Sequence, residues 1–349
     1  MNAGLIVIIL LLVLSILGIP IYLALGIGTL VALNMADMPF IVLPQKLFAG
    51  MNSSSLLAIP FFMLAGNIMS RSITGKLIDV SNALIGWIKG SLAVVTVLAS
   101  ALFGAISGSG VATASAVGGT TIPAMKEEGY PDHFAAAISG IAAILGPIIP
   151  PSITLIVYAS ITDLSVSKLF VGSVIPGILM AVGLIIYALF YGKKNDLPAH
   201  ERKSAKEVLL IFKDSIWALL MPVIILGGIF TPTESAAVAV VYALLVSLLI
   251  YKDIKIKDIP GIFVDGAIST ATILMLVGIS KSSGYVITTS GLPHQVLEVF
   301  SSFTNSTVVI LLLLNILFLV IGMLMEANAA IIMMTPILLP LLDAFGIDP

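Results

Sequence analysis

The sequence predicts an all-α polytopic membrane protein with inverted structural repeats, two re-entrant helical hairpins and broken helices. Three observations predict it. Of 349 residues, 59% are hydrophobic and only 10% charged, against about a quarter charged in a soluble domain. Short motifs recur at a nearly constant offset. Finally, glycine, serine and proline clusters interrupt apolar runs where an uninterrupted span would need leucine.

Composition narrows the function. The chain has no cysteine and three scattered histidines, His133, His200 and His294, so neither thiol chemistry nor a histidine metal cluster is legible. A formal charge of −2 gives no argument for nucleic acid. No P-loop occurs, so the chain does not energise itself with ATP. No nucleophile–base set supports an enzyme, an intramembrane hydrolase included. The apolar run from Gly4 to Leu17 lacks a basic flank and a cleavage motif, and reads as a transmembrane helix, not a signal peptide.

Charge orients the chain. Lys193, Lys194, Arg202, Lys203, Lys206 and Lys213 crowd residues 193–213; Lys252, Lys255 and Lys257 form a second group, and Arg71, Lys76 and Lys89 a third. Basic connections face the cytoplasm. The segments 34–48 and 282–305 hold almost no basic residue and are placed outside. As binding surfaces these groups carry no signal beyond solvated loops.

The repeats come next. Met63-Leu64-Ala65-Gly66 returns as Met275-Leu276-Val277-Gly278. The Gly18-Ile19-Pro20 break returns as Gly228-Ile229-Phe230-Thr231-Pro232. Ile122-Pro123-Ala124-Met125 with Gly129 returns as Leu339-Pro340-Leu341-Leu342 with Gly346. The expected organisation is a first repeat over 1–192, a basic cytoplasmic linker over 193–213 and a second repeat over 214–349. The first repeat divides into scaffold helices 1–89, a hairpin 90–126, a broken helix 131–162 and a helix 168–192. The second divides into scaffold helices 214–305 and a second hairpin 306–343. Helix 56–70 runs from a charge-poor to a basic connection, and its counterpart 268–280 the reverse, so the repeats are inverted. That design is frequent in secondary transporters.

Within 90–126, FGAISGSGVATASAVGGTTIPAM (103–125) concentrates poor helix formers and hydroxyls. Two arms of about 15 residues reach about 23 Å at 1.5 Å per residue, short of the ~30 Å hydrocarbon core. With both ends inside, the stretch reads as a re-entrant hairpin whose tip must be buried in protein or face a water-filled site. Its hydroxyls and freed carbonyls suit a hard cation such as Na⁺. Small residues that merely let helices pack closely are the alternative. In LGPIIPPS (145–152), three prolines in five residues stop a helix, with Pro150 and Pro151 placed to restart it. The first half then ends in carbonyls suited to a cation and the second begins with N–H groups suited to a carboxylate. A simple kink is the alternative.

Other polar signals divide between site and scaffold. Gly322 to Ala329 supplies the second hairpin's tip. Glu326 and Asn328 there are polar at membrane depth, where such groups are expensive; Glu326 reads equally as a substrate-site residue or as a helix N-cap. Thr231-Pro232-Thr233-Glu234 has the form of a capping box. Asn67 and Asn315 read as bonding across helices. Segments 4–17, 178–190 and 306–321 read as scaffold or lipid-facing helices.

FGAISGSGVATASAVGGTTIPAM, the following Gly129-Tyr130, LGPIIPPSI (145–153) and GGIFTPTESAAVAVVYAL (227–244) together resemble the large membrane subunit (DctM type) of tripartite ATP-independent periplasmic (TRAP) transporters, and the resemblance runs over the whole chain. It implies an elevator-type ion-transporter fold in a bacterial inner membrane, driven by a Na⁺ gradient, with no organic cofactor. It implies two partners, a small four-helix membrane subunit and a periplasmic substrate-binding protein. The implied substrates are organic acids: C4-dicarboxylates, sialic acids and similar carboxylates. It carries a first Na⁺ site onto Ser107, Ser109, Gly110, Gly146, Ile149 and Pro151, and a second, incomplete one onto Gly322 and Met325. A substrate carboxylate is then expected at Ser107, Thr113, Ser152, Thr154, Glu326 and Asn328. The family continues past the second hairpin into another broken helix, so a C-terminally truncated chain is expected, unable to transport alone. A stand-alone Na⁺–carboxylate symporter of related fold is the nearest rival, and a channel with a glycine-rich filter the next.

Overall fold

The computed structural model describes residues 2–226, 230–304 and 306–348. Gly228 and Ile229, used in the repeat argument, and Gly227 of the family motif lie outside them. The described residues form helices joined by short connections, without strands. In chain order the helices are α1 (Ala3–Ile16), α2 (Ile21–Met35), α3 (Val42–Met51), α4 (Ala58–Ser72), α5 (Thr74–Ile85), α6 (Ser91–Ser107), α7 (Gly110–Thr113), α8 (Gly119–Glu127) and α9 (Asp132–Ala143). They continue as α10 (Leu145–Ile148), α11 (Ile153–Thr162), α12 (Val166–Lys194), α13 (Ala205–Leu226), α14 (Pro232–Leu245), α15 (Ile259–Thr289), α16 (Leu292–Phe303), α17 (Thr307–Leu324) and α18 (Ala327–Ala344). Among the described residues five helices are long and apolar enough to cross a membrane, and two bent helix pairs raise that to seven. The protein is a multi-pass membrane protein.

Local chemistry sets the boundaries. Asn2 caps α1, accepting from the Gly4 N–H at 2.9 Å. Gly18 (φ +83°) ends that helix in the left-handed conformation that glycine adopts without a Cβ penalty. Pro20 then stands at the N-cap of α2. The Gly18-Ile19-Pro20 break is therefore real, and it leaves α1 at 14 residues, the length of the expected Gly4–Leu17 run and short of the roughly 20 residues of a full span. The capping box at 231–234 also forms. The Thr231 hydroxyl accepts from the Glu234 N–H at 3.4 Å, and the Glu234 carboxylate accepts from the Thr231 N–H at 2.9 Å. Thr231→Ala leaves α14's first turn without its cap and is expected to lower stability by about 1 kcal/mol; a thermal midpoint equal to the parent's would count against that role. Asn315 behaves differently from its expectation. Its side-chain amide donates to Leu311 O at 2.8 Å, one turn back on its own helix and not across to another.

The chain folds into two compact units. One comprises Met1–Leu56, Val157–Leu164 and Ser269–Pro349; the other comprises Leu57–Ile156 and Ser165–Ile268. In the first, α1 packs on α2, and both α16 and α17 pack on α18. Short polar bonds knit its apolar helices. The Thr29 and Ser283 hydroxyls meet at 2.6 Å between α2 and α15, and the Ser282 hydroxyl donates to Leu43 O at 2.8 Å. Such bonds matter between helices that have no hydrophobic reason to prefer each other over lipid.

The second unit is built on α6, α9 and α12. Val94, Val97, Phe134, Ile138, Ala181 and Ala188 form a continuous core, with the Phe134 and Tyr191 rings stacked 3.7 Å apart. Outward, Val171, Ile175, Leu179, Ile186 and Phe190 of α12 are all more than half exposed. A helix apolar on its unpacked side faces lipid. Leu312, Ile316 and Leu319 of α17 are likewise exposed in the first unit. At the base of the 90–126 segment, His200 meets Glu128 at 2.9 Å and its backbone N–H donates to Gly86 O at 2.9 Å. Burial lifts the Glu128 carboxyl above the usual carboxylate range, and the neighbouring His200 offsets part of that.

Candidate functional site

The site begins where helix α6 stops. Ser107 is its last residue, Gly108 follows at φ +62°, and Ser109 caps α7 by accepting from the Ala112 N–H at 3.3 Å. A left-handed residue between two helices reverses the chain, and glycine does so without strain. The outgoing arm is α7, a π-helical turn over Ala114–Gly118, and α8. Each π turn inserts a residue into the hydrogen-bond ladder and is frequent at functional sites. Nothing in the sequence announced this one. The arms run 17 residues (Ser91–Ser107) and 18 residues (110–127, counted from Gly110 to Glu127), slightly longer than the 15 expected. At 1.5 Å per residue they reach about 26–27 Å.

The broken helix lies against this reversal. Helices α9 and α10 are followed by the extended Ile149 (φ −76°, ψ 126°), and α11 restarts at Ile153. The two helical parts are bent by 45°. Pro147 sits within α10, so it is Pro150 and Pro151 that occupy the break. They do not open the new helix as expected. Ser152 does, accepting from the Leu155 N–H at 3.1 Å, because a hydroxyl can cap the free N–H groups and a proline side chain cannot. The Ser152 hydroxyl also donates to Pro147 O across the break.

Backbone meets backbone between the two segments. The Ile153 N–H donates to Gly108 O at 3.2 Å. A Cβ at Gly108 would lie 2.7 Å from Pro151 O, and one at Gly104 would lie 2.7 Å from the Gly146 Cα. A Cβ at Gly146 would lie 2.7 Å from the Thr113 hydroxyl and 2.8 Å from Ser109 O. The close-packing reading of these small residues is thus correct for Gly104 and Gly146, and it coexists with an oxygen-lined tip. Gly104 was missed as a site residue; its i, i+4 spacing with Gly108 was the available signal.

Three oxygens gather beside Gly146. The Ser107 hydroxyl stands 3.3 Å from the Thr113 hydroxyl and 3.5 Å from Ser109 O, while the Thr113 hydroxyl donates to Ser109 O at 2.7 Å. Hydroxyl–oxygen bonds are usually nearer 2.7–2.8 Å, so the Ser107 hydroxyl is held only weakly. Ser107 and Thr113 are 1% and 0% exposed, and Ser152 is 0% exposed. Buried oxygens of this kind are what a hard cation takes as ligands.

The predicted site residues therefore divide. Ser107, Ser109, Gly110, Thr113, Gly146, Ile149, Pro151, Ser152 and Thr154 all lie in one unit, at the reversal and the break. The side chain of Ile149 is turned away onto Gly177, whose Cβ would stand 2.8 Å from Ile149 Cγ1, so only its backbone is left for a ligand. Gly322, Met325, Glu326 and Asn328 belong to the other unit. There α17 ends, Met325 is extended (φ −147°, ψ 161°), and α18 begins. Glu326 is the N-cap of α18: its carboxylate accepts from the Asn328 and Ala329 N–H groups at 3.0 and 3.3 Å and from the Asn328 amide at 2.7 Å. Of the two readings of Glu326, the cap is the one its bonds display. The Asn328 side-chain oxygen is buried without a partner, an unsatisfied acceptor at the second tip.

The family model described as "Tripartite ATP-independent periplasmic transporter, DctM component" matches residues 8–349. A putative TRAP transporter large permease protein of Haemophilus influenzae is 38% identical over 340 residues, covering 96% of this chain and 80% of the relative. The C4-dicarboxylate TRAP transporter large permease protein DctM of Pseudomonas aeruginosa is 40% identical over 309 residues, covering 87% and 72%. The 2,3-diketo-L-gulonate TRAP transporter large permease protein YiaN of Escherichia coli is 35% identical over 340 residues, covering 95% and 80%.

Proposed function

The chain belongs to the DctM-component family of tripartite ATP-independent periplasmic transporters, and on that premise we propose that it carries an organic acid across a bacterial inner membrane by Na⁺-coupled secondary active transport. A periplasmic binding protein delivers the acid, and a small membrane subunit completes the permease. The chemical class follows the relatives, whose names specify a C4-dicarboxylate and 2,3-diketo-L-gulonate. No catalytic role is assigned to any residue.

The observation that carries this reading is the juncture of the chain reversal at Ser107–Ser109 with the helix break at Ile149–Ser152, tied by the Ile153–Gly108 bond. Backbone that leaves helix geometry in both segments at one place exposes carbonyls and N–H groups together, which is how discontinuous helices bind ions and anions in transporters. In the proposed mechanism Na⁺ takes the Ser107 and Thr113 hydroxyls and the Ser109 carbonyl, with Gly110, Gly146, Ile149 and Pro151 contributing backbone. A substrate carboxylate takes the capped N-terminus of α11 at Ser152–Thr154. The second Na⁺ site draws on Gly322 and Met325, with Glu326 holding the start of α18 as its cap and the free Asn328 side-chain oxygen beside it. Na⁺ binding closes the hairpin tips. The loaded hairpins and broken helix then move as one transport domain against a scaffold that includes 4–33 and 219–250, the elevator motion of inverted repeats.

The test is uptake into proteoliposomes holding the chain and its small subunit, with binding protein outside and an imposed Na⁺ gradient. Accumulation of carboxylate that requires both Na⁺ and binding protein is expected. Uptake equal in K⁺ would refute the coupling, and full uptake without the binding protein would favour a stand-alone symporter.

A further inference from the structure

A second polar site lies wholly within the unit of Met1–Leu56, Val157–Leu164 and Ser269–Pro349. Helix α3, the turn after α11, the later part of α15 and α18 enclose a cavity of about 670 Å³, within the 300–1,000 Å³ that small-molecule sites occupy. Two ammonium groups line it, Lys46 and Lys281, facing a single carboxylate, Asp163, among the described residues. Asn52, Tyr285 and Thr288 add polar atoms to the wall.

The lysines are positioned, not adventitious. The Lys281 ammonium donates to Ser160 O at 2.7 Å, near the end of α11, which leaves two of its three N–H groups for another partner. Gly50 makes room for its stem: a Cβ there would lie 2.5 Å from Lys281 Cγ. Lys46 stands 4.3 Å over the ring of Tyr285, an attraction that holds a cation without neutralising it. A cation among apolar helices is costly unless a negative charge faces it. One carboxylate against two ammonium groups leaves one positive charge uncompensated. Residues 46–53, 163 and 285–288 also adjoin the charge-poor connections that basic loops leave outside.

We infer that this cavity is an anion site that takes the carboxylate group of an organic acid on the outer side, built from residues other than those of the hairpin juncture. Its role as a receiving station for substrate rests on the transport reading above, whereas its preference for anions rests on the cavity's own charges.

The chain contains no cysteine, so Thr288→Cys introduces a unique thiol on the cavity wall. In the whole chain reconstituted with its small subunit, its reaction rates with an anionic sulfonate and a cationic trimethylammonium methanethiosulfonate read the local charge. One net positive charge about 8 Å away in a wet site should favour the anionic reagent roughly five-fold over the ratio for a free thiol. Lys46→Gln should bring that ratio to the free-thiol value, Asp163→Asn should raise it, and Lys281→Arg should preserve it. Millimolar succinate should slow the anionic reagent more than sodium chloride of equal ionic strength does. Asn52→Cys, on the exposed rim, repeats the measurement with a second thiol. A free-thiol ratio in both cysteine variants, indifference to Lys46→Gln, protection by chloride equal to that by succinate, or two unreactive thiols would each overturn the site. Charge selectivity in a protein that shows no Na⁺-driven uptake would overturn the transport reading and leave this one standing.

Discussion

Gly146→Val is expected to abolish Na⁺-driven uptake and to lower the thermal midpoint measurably. The first side-chain carbon alone would lie 2.7 Å from the Thr113 hydroxyl and 2.8 Å from Ser109 O, and valine adds two methyl groups to it. Neither neighbour is the free end of a long side chain. Ser109 O belongs to the reversal itself, and the Thr113 hydroxyl is bonded to it. Hairpin and broken helix must therefore separate, at the 1–3 kcal/mol typical of overpacking or more, and the oxygen cluster separates with them. Gly140→Val on α9 is the matched control, because nothing stands within 4 Å of a Cβ at that position. It should leave both uptake and midpoint near the parent's values. Parental uptake by Gly146→Val would show that the juncture is not the seat of coupling.

The second large effect isolates oxygen chemistry from sterics. Ser107→Ala combined with Thr113→Val removes two buried hydroxyls while valine keeps the shape of threonine. The fold should persist with a modest loss, since each such hydrogen bond contributes about 1 kcal/mol net. The Na⁺ concentration for half-maximal uptake should rise at least about tenfold, equivalent to about 1.4 kcal/mol of binding free energy. A variant that folds and shows the parent's Na⁺ dependence would remove Ser107 and Thr113 from the ion site, whatever becomes of the rest of the proposal.

Much of the fold was legible because membranes restrict the choices. With no water to satisfy free backbone groups, a membrane span must be a helix or part of a closed barrel, long uninterrupted apolar runs select the helix, and clusters of glycine, proline and hydroxyl residues within them mark candidate departures. The breaks at Gly18–Pro20, Gly108–Ser109 and Ile149–Ser152 were readable for that reason. So was the capping box at Thr231, where the chemistry is local to four residues. Reading failed where the decisive partner was remote or the choice was local and finely balanced. Asn315 chose a carbonyl on its own helix over one across an interface. Ser152, not a proline, starts α11. The π turn at Ala114–Gly118 has no residue signature at all.

The amino-acid sequence by itself determined a helical membrane protein, its interrupted segments and the oxygen-bearing residues from Ser107 to Thr113. Those follow from composition and from backbone rules that act within a few residues. The tertiary structure alone decided that Gly104 and Gly146 touch, that Gly108 O is bound by Ile153, and that Lys46 and Lys281 share a cavity although 235 positions separate them (281 less 46). Close approach and shared charge depend on distance in space, and no local pattern in a chain records which distant residue will stand 2.7 Å away.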